Sequence, residues 1–245
     1  MSDAALCVVH CESVALLRAG ALYWPSQEAL VVADLHFEKG SHFATRGVFL
    51  PPYDTRTTLR RLANLLATHT PRMVISLGDA FHDGDAEARM DQADAAMLES
   101  LIASVRWIWV LGNHDPAPPS RFGGAVVRGL QMGNLVFRHE PSIRPAPGEV
   151  AGHLHPAARV RAESRVIRRR CFAADESRIV LPAFGAYAGG LNVRDDAFAP
   201  LFDDVTAYVL GGEGVYPFAR AALEPDPPSL SRAESVRGCV APTTR

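Results

Sequence analysis

The sequence predicts an α/β chain, a four-layer α/β/β/α sandwich of two mixed sheets packed face to face with helices outside. Apolar runs at residues 29–33, 73–77 and 105–111, interrupted only by Ser76 and Arg106, have the character of strands buried on both faces. Stretches of helical periodicity separate these runs, and the order strand, helix, strand, helix, strand implies parallel strands with right-handed crossovers. Beyond about residue 125 the helical pattern stops and short strand-like segments follow one another.

In chain order, residues 14–18 and 21–24 form an expected antiparallel pair turning at Gly20. Residues 54–67 place Leu59, Leu62, Leu65 and Leu66 on one helical face, and residues 86–103 do the same with Met90, Met97, Leu98 and Leu101. Residues 125–130 and 134–139 read as a hairpin through Gly133. Further strands are expected at 148–152, 168–173 and 178–181, and a last hairpin at 206–210 and 215–218. There is no internal repeat. A single domain over residues 1–223 is expected, with 224–245, polar and proline-rich, as a flexible tail.

Composition narrows the function classes. With 48% apolar residues in 245, the chain can bury a sizeable core. No apolar run reaches the roughly 18 residues of a membrane span. A net charge of −2 excludes a broadly basic nucleic-acid coat, though not a local patch. The first residues, with Asp3 and no basic stretch, do not resemble a secretory signal. Cys7, Cys11, Cys171 and Cys239 lack paired spacing, which fits a reducing compartment and a cytoplasmic location. Cys7 and Cys11, with His10 between them, are read as part of an early strand rather than as metal ligands.

The chemistry gathers at strand ends. The first run ends in Asp34-Leu35-His36, the second in Gly78-Asp79 followed by His82-Asp83, and the third in Gly112-Asn113-His114-Asp115. Two later strands end in His139 and in Gly152-His153-Leu154-His155. Ligands of parallel sheets bind beyond the carboxyl ends of the strands, so these sets should converge. Singly each motif is weak, since Gly-Asp is often a turn and a lone histidine is often merely packed. Together they supply imidazole, carboxylate and amide without thiolate, which suits Mn²⁺, Fe²⁺ or Zn²⁺. Asp34, His36, Asp79, Asn113, His139, His153 and His155 are too many for one tetrahedral ion and enough for two. Two ions about 3.5–4 Å apart can clamp a phosphate during in-line displacement. The i, i+2 pairs Asp34/His36 and His153/His155 would each point one way if locally extended.

These motifs resemble the calcineurin-like metallophosphoesterase superfamily, over residues 34 to 155. Within it the chain is most similar to the ligase-associated DNA-damage-response phosphoesterases of the PdeM type. That closer similarity rests on Asp34–Gly40, 50–55, 112–119 and 184–192, and runs over about residues 20–218. The resemblance implies one metal held by Asp34, His36, Asp79 and His155, and another by Asp79, Asn113, His139 and His153, with Asp79 shared. It implies that the two divalent ions are most simply Mn²⁺, and that His114 protonates the leaving oxygen with Asp115 or a nearby acid orienting it. Many members have an acid three residues after the shared aspartate, where this chain has His82. That leaves the partner of His114 open and makes His82 a candidate contact for the substrate phosphate. The resemblance also implies a DNA substrate and functional association with a DNA ligase, a helicase and a second nuclease.

Substrate contacts are expected from Lys39, the only lysine, in the loop after the first strand. Arg159, Arg161, Arg165, Arg168, Arg169 and Arg170 form either a backbone-binding patch, led by Arg168 and Arg169, or a solvated charged hairpin. Arg138, next to His139, should face away from the metals. The short intervals between Asn113, His139 and His153 leave no room for an inserted cap, which favours a bulky substrate such as DNA or RNA. A phosphomonoesterase or nucleotide phosphodiesterase is the alternative. A non-catalytic scaffold on the same fold is the third reading, and it would not need the full ligand set this chain retains.

Overall fold

In the computed structural model, which describes residues 3–113, 120–162 and 165–227, the apolar runs become strands whose alternate side chains go to opposite faces. The first sheet contains, in spatial order, β1 (Ala4–Val9), β2 (Glu12–Leu17), β3 (Leu22–Trp24), β4 (Ala29–Ala33), β5 (Met73–Leu77), β6 (Arg106–Val110) and β7 (Ala125–Val127). Pairing is antiparallel from β1 to β4 and parallel from β4 to β7. The second sheet is built from β8 (Leu130–Met132), β9 (Leu135–Phe137), β10 (Glu149–Ala151), β11 (Ala157–Ala162), β12 (Arg165–Ala174), β13 (Arg178–Val180), β14 (Thr206–Leu210), β15 (Val215–Ala219) and β16 (Leu223–Glu224). Its main path is β15-β14-β12-β13-β10-β9-β8, with β11 and then β16 added beside β12. β9, β10 and β13 are parallel, and the other pairs are antiparallel. Both sheets are therefore mixed, as expected.

Helices α1 (Lys39–Thr45), α2 (Asp54–His69), α3 (Ala86–Arg89) and α4 (Gln92–Ala103) all lie in the first half of the chain. Between the sheets, Val31, Ala33, Ile75, Leu77, Ile108 and Val110 pack with Leu135, Phe137, Val150, Phe172 and Ile179. On the opposite face of the first sheet, Leu30, Val32, Val74, Trp107 and Trp109 are covered by Leu59 and Leu62 of α2 and Leu98 and Ile102 of α4. Each fully buried leucine of this kind stabilises the fold by about 1.5–3 kcal/mol. The outer face of the second sheet, including Val160, Ala173 and Val209, is covered by Val193, Phe198, Leu201 and Phe202. These come from a segment of turns at 182–205.

Several elements differ from their expected form. The helix read at 86–103 breaks after Arg89, because Asp91 is extended (ψ 140°) and its carboxylate caps α4 by accepting from Ala93 N–H at 2.9 Å. Residues 125–130 are not one hairpin strand. β7 joins β6 in the first sheet, while β8 pairs with β9 through Gly133, so the chain changes sheets across Arg128 and Gly129. Lys39 opens helix α1 rather than lying in a loop. Order also continues past residue 223: β16 pairs with β11, and the remainder of the expected tail, 228–245, lies outside the described residues.

Candidate metal centre

The ends of β4 and β5 stay paired beyond the strands. His36 N–H donates to Asp79 O at 2.9 Å, and Phe37 N–H donates to Ala80 O at 2.8 Å. From the other side, Gly185 N–H reaches Asp34 O at 3.1 Å. These bonds hold a backbone that local preference opposes. Asp34, His36, Asp79, His153 and His155 all have positive φ, between 44° and 68°. The extended geometry expected for Asp34-x-His36 and His153-x-His155 is therefore absent. Each left-handed non-glycine residue costs on the order of 1–3 kcal/mol, which the surrounding hydrogen bonds and packing offset.

This backbone aims the side chains into two sets. Asp34, His36 and His155 form one, and Asp79, His139 and His153 the other; within each, one ligand atom per residue lies within 4.8 Å of the others. The first sheet supplies Asp34, His36 and Asp79, and the second sheet supplies the other three. Asn113 adds its amide oxygen to the second set, 2.9 Å from His139 Nε2. The seven residues expected to bind metal are thus brought together. Asp79 belongs to the second set, and its charge also acts on His36 of the first.

The donor atoms fit divalent cations. His36 Nε2 and His155 Nε2 face each other at 3.2 Å, and His153 Nδ1 faces His139 Nε2 at 3.1 Å. Only one nitrogen of each pair can donate to the other, whereas a cation between them would take both lone pairs. Among the described residues, Asp34 Oδ1 is buried without a hydrogen bond while His155 Nε2 stands 3.3 Å away, an acceptor and a lone pair suited to a shared cation. Burial, with His155 close by, pushes His36 down to about 2, so its imidazole is neutral and ready to ligate.

His139 is oriented by Leu77 O, 2.9 Å from Nδ1, which leaves Nε2 for the site. Burial opposes its protonation, but the hydrogen bond to Asp79 and the charge of Asp34 outweigh that and raise it to about 9. A cation and a proton therefore compete for Nε2. The ring lies directly over Gly78, which has φ +70°, and a Cβ there would stand 2.4 Å from His139 Nδ1. Gly78→Ala is expected to destabilise the protein by about 2–5 kcal/mol, from left-handed strain plus overpacking. That corresponds to a fall in Tm of roughly 5–15 °C. A thermal melt with metal analysis checks it, and a variant with unchanged Tm and metal content would contradict the close packing.

The calcineurin-like phosphoesterase family model matches residues 29–167, which include every member of both sets. The chain belongs to the calcineurin-like phosphoesterase family. Its members are metal-dependent phosphoester hydrolases, and the two ligand sets are this chain's candidate metal sites. The crystal structure of Pseudomonas putida nuclease MPE is similar at a TM-score of 0.68 and 29% identity, over 88% of this chain and 100% of that one. A curated relative, "Probable inactive purple acid phosphatase 29" of Arabidopsis thaliana, is 29% identical over 91 residues. That match takes in 35% of this chain, which spans about a quarter (23%) of that relative's length.

Around the two candidate ligand sets of this calcineurin-like phosphoesterase, the other expected contacts fall out as follows. His114 and Asp115 lie outside the described residues. His82 sits beside the first set, its ring centroid 5.5 Å from that of His36. Asp83 is bound to His42 and, at 2.8 Å, to Arg89, and His42 packs edge-on against His82 at 4.6 Å. His42 and Arg89 were not expected near the site. The His82-Asp83 pair was the only sign of them in the sequence, and it needed α1 and α3 to complete it. Lys39 is half-buried, and burial lowers its ammonium below the usual lysine range. The arginine-rich stretch is the hairpin β11–β12, and most of its charge is engaged internally. Arg161 pairs with Glu224 at 2.8 Å, Arg168 with Asp226 at 3.2 Å, and Arg159 donates to Pro225 O at 2.7 Å. Arg170 donates to Ala183 O at 2.6 Å, while Arg165 and Arg169 remain exposed.

Proposed function

We propose that this chain is a dinuclear metal-dependent phosphodiesterase that cleaves nucleic acid, acting as a DNA endonuclease in repair. The pair of ligand sets supports this reading most directly, because phosphodiester displacement has an attacking and a leaving oxygen to stabilise. The similarity to a nuclease over that protein's whole length supports the substrate class. Two divalent cations would supply Lewis-acid chemistry, activating water and withdrawing charge from the phosphoryl group. Manganese suits the mixed imidazole, carboxylate and amide donors.

The chain's own residues do the rest. Asp34, His36 and His155 would hold one cation and Asn113, His139 and His153 the other, with Asp79 shared. Leu77 O keeps the His139 ring oriented. His114 would give its proton to the leaving alcohol, with Asp115 supporting the charge. His82 and Lys39 would approach the phosphate from the α1 side. In the cell the reading fits work alongside a DNA ligase, a helicase and a second nuclease.

The test is a substrate panel for the Mn²⁺-loaded protein: supercoiled plasmid, single-stranded DNA, RNA, mononucleotides and cyclic nucleotides. Nicking of plasmid or cutting of single strands, lost on chelation, is the expected result. Turnover of mononucleotides or cyclic nucleotides with no cleavage of polynucleotide would replace this reading with that of a small-substrate phosphatase or phosphodiesterase.

A further inference from the structure

A cleft of about 580 Å³ opens beside the second ligand set and runs from Asn113 and His139 past Arg128, Gln131 and Arg138. Its charge comes from two different places in the fold. Arg128 stands where the chain crosses from the first sheet to the second, exposed and with no ion pair among the described residues. Arg138 directly precedes His139 and is steadied by Glu149, with Nε 3.3 Å from Oε1. Glu149 is fully buried and shared with Arg178, whose Nη1 is 3.2 Å from Oε2, so one carboxylate serves two guanidiniums. The exposed acid lining the cleft is Glu140. The balance is positive, next to ligands of the metal centre. By contrast, three of the six arginines of the hairpin, Arg159, Arg161 and Arg168, are turned onto residues 224–226.

We propose that Arg128 and Arg138 form a second phosphate subsite, which takes the backbone phosphate adjacent to the one being cleaved on a nucleic-acid strand. Guanidinium forks bind phosphate oxygens in pairs, which fixes position as well as charge. A lone phosphate ester has no group to place there, whereas a polynucleotide has a phosphate on each side of the cleaved bond. The subsite rests on the reading of this chain as a nuclease and adds the element that selects strands over small esters. It also gives Arg138 a role that its outward strand position did not suggest.

The experiment compares wild type and Arg128→Ala on a single-stranded oligonucleotide and on bis(p-nitrophenyl) phosphate with Mn²⁺. Arg128 is exposed, so the variant should fold. The ratio of kcat/KM on the oligonucleotide to that on the aryl ester is expected to fall about tenfold. The slope of log kcat/KM against log salt on the oligonucleotide should flatten by about 0.7, one phosphate contact on a single strand. Arg128→Lys should restore the slope and part of the ratio. An Arg128→Ala ratio equal to that of wild type overturns the subsite while leaving the nuclease reading intact. So does a lysine variant that restores nothing, which would mark a structural role. A wild-type protein that turns over the aryl ester and cuts no polynucleotide overturns both readings.

Discussion

On the proposed dinuclear reading, Asp79→Asn is expected to reduce Mn²⁺-supported turnover by at least about a thousandfold and to leave one bound ion or none in place of two. Asparagine keeps the shape of the side chain and removes its charge. Asp79 is 2% exposed, in the second set with His139 and His153 and electrostatically linked to His36. No other carboxylate of the two sets occupies that position, since Asp34 lies with His36 and His155 in the first set and its Oδ2 accepts from His153 N–H. The same substitution removes a main cause of the raised His139 pKa, so His139 should titrate closer to neutrality in the chelated protein. Metal analysis, turnover and a melt in chelator separate these effects. Retention of both ions with near-wild-type turnover would mean that Asp79 is not the shared ligand.

On the same reading, His114→Ala should leave the metal content unchanged and cut oligonucleotide cleavage by about 10²–10⁴-fold. The residue follows Asn113, whose amide oxygen lies beside His139 in the second set. A proton donor matters in proportion to the basicity of the departing oxygen. A nucleotide alcohol leaves poorly without a proton, and p-nitrophenolate leaves well. The loss on bis(p-nitrophenyl) phosphate should therefore be much smaller than the loss on DNA. The alkaline limb of the pH–rate profile on DNA should also disappear. Equal losses on both substrates, with an unchanged pH profile, would assign His114 to binding rather than proton transfer.

Much of this centre was legible because it obeys periodicity and topology. The runs ending at Ala33 and Leu77 matched β4 and β5 residue for residue, and the rule placing ligands at strand ends brought Asp34, Asp79 and Asn113 together. What escaped was set by contacts far apart in sequence. The left-handed backbone at Asp34 and His36 runs against local preference and exists because β5's loop and Gly185 hydrogen-bond to it. The break at Asp91 competed with a good apolar period, and the capping carboxylate won. The arginine hairpin looked like a free cationic surface because Glu224 and Asp226 lie more than fifty residues away in the chain. Glu149 read as an ordinary strand residue, and its two arginine partners appear only once β9, β10 and β13 are side by side.

The division of the ligands between the sheets has a mechanical consequence. Between the sheets the contact is mostly apolar side chains, which resist separation but only weakly resist sliding. Each candidate ion would be gripped from both sides, by Asp34 and His36 against His155 in one set and by Asp79 against His139 and His153 in the other. Two rivets set at one rim would stop the layers shearing past each other where a phosphate must be held to within a fraction of an ångström. Loss of metal would then loosen the seam as well as remove the reactive centre. Cofactor and scaffold would fail together.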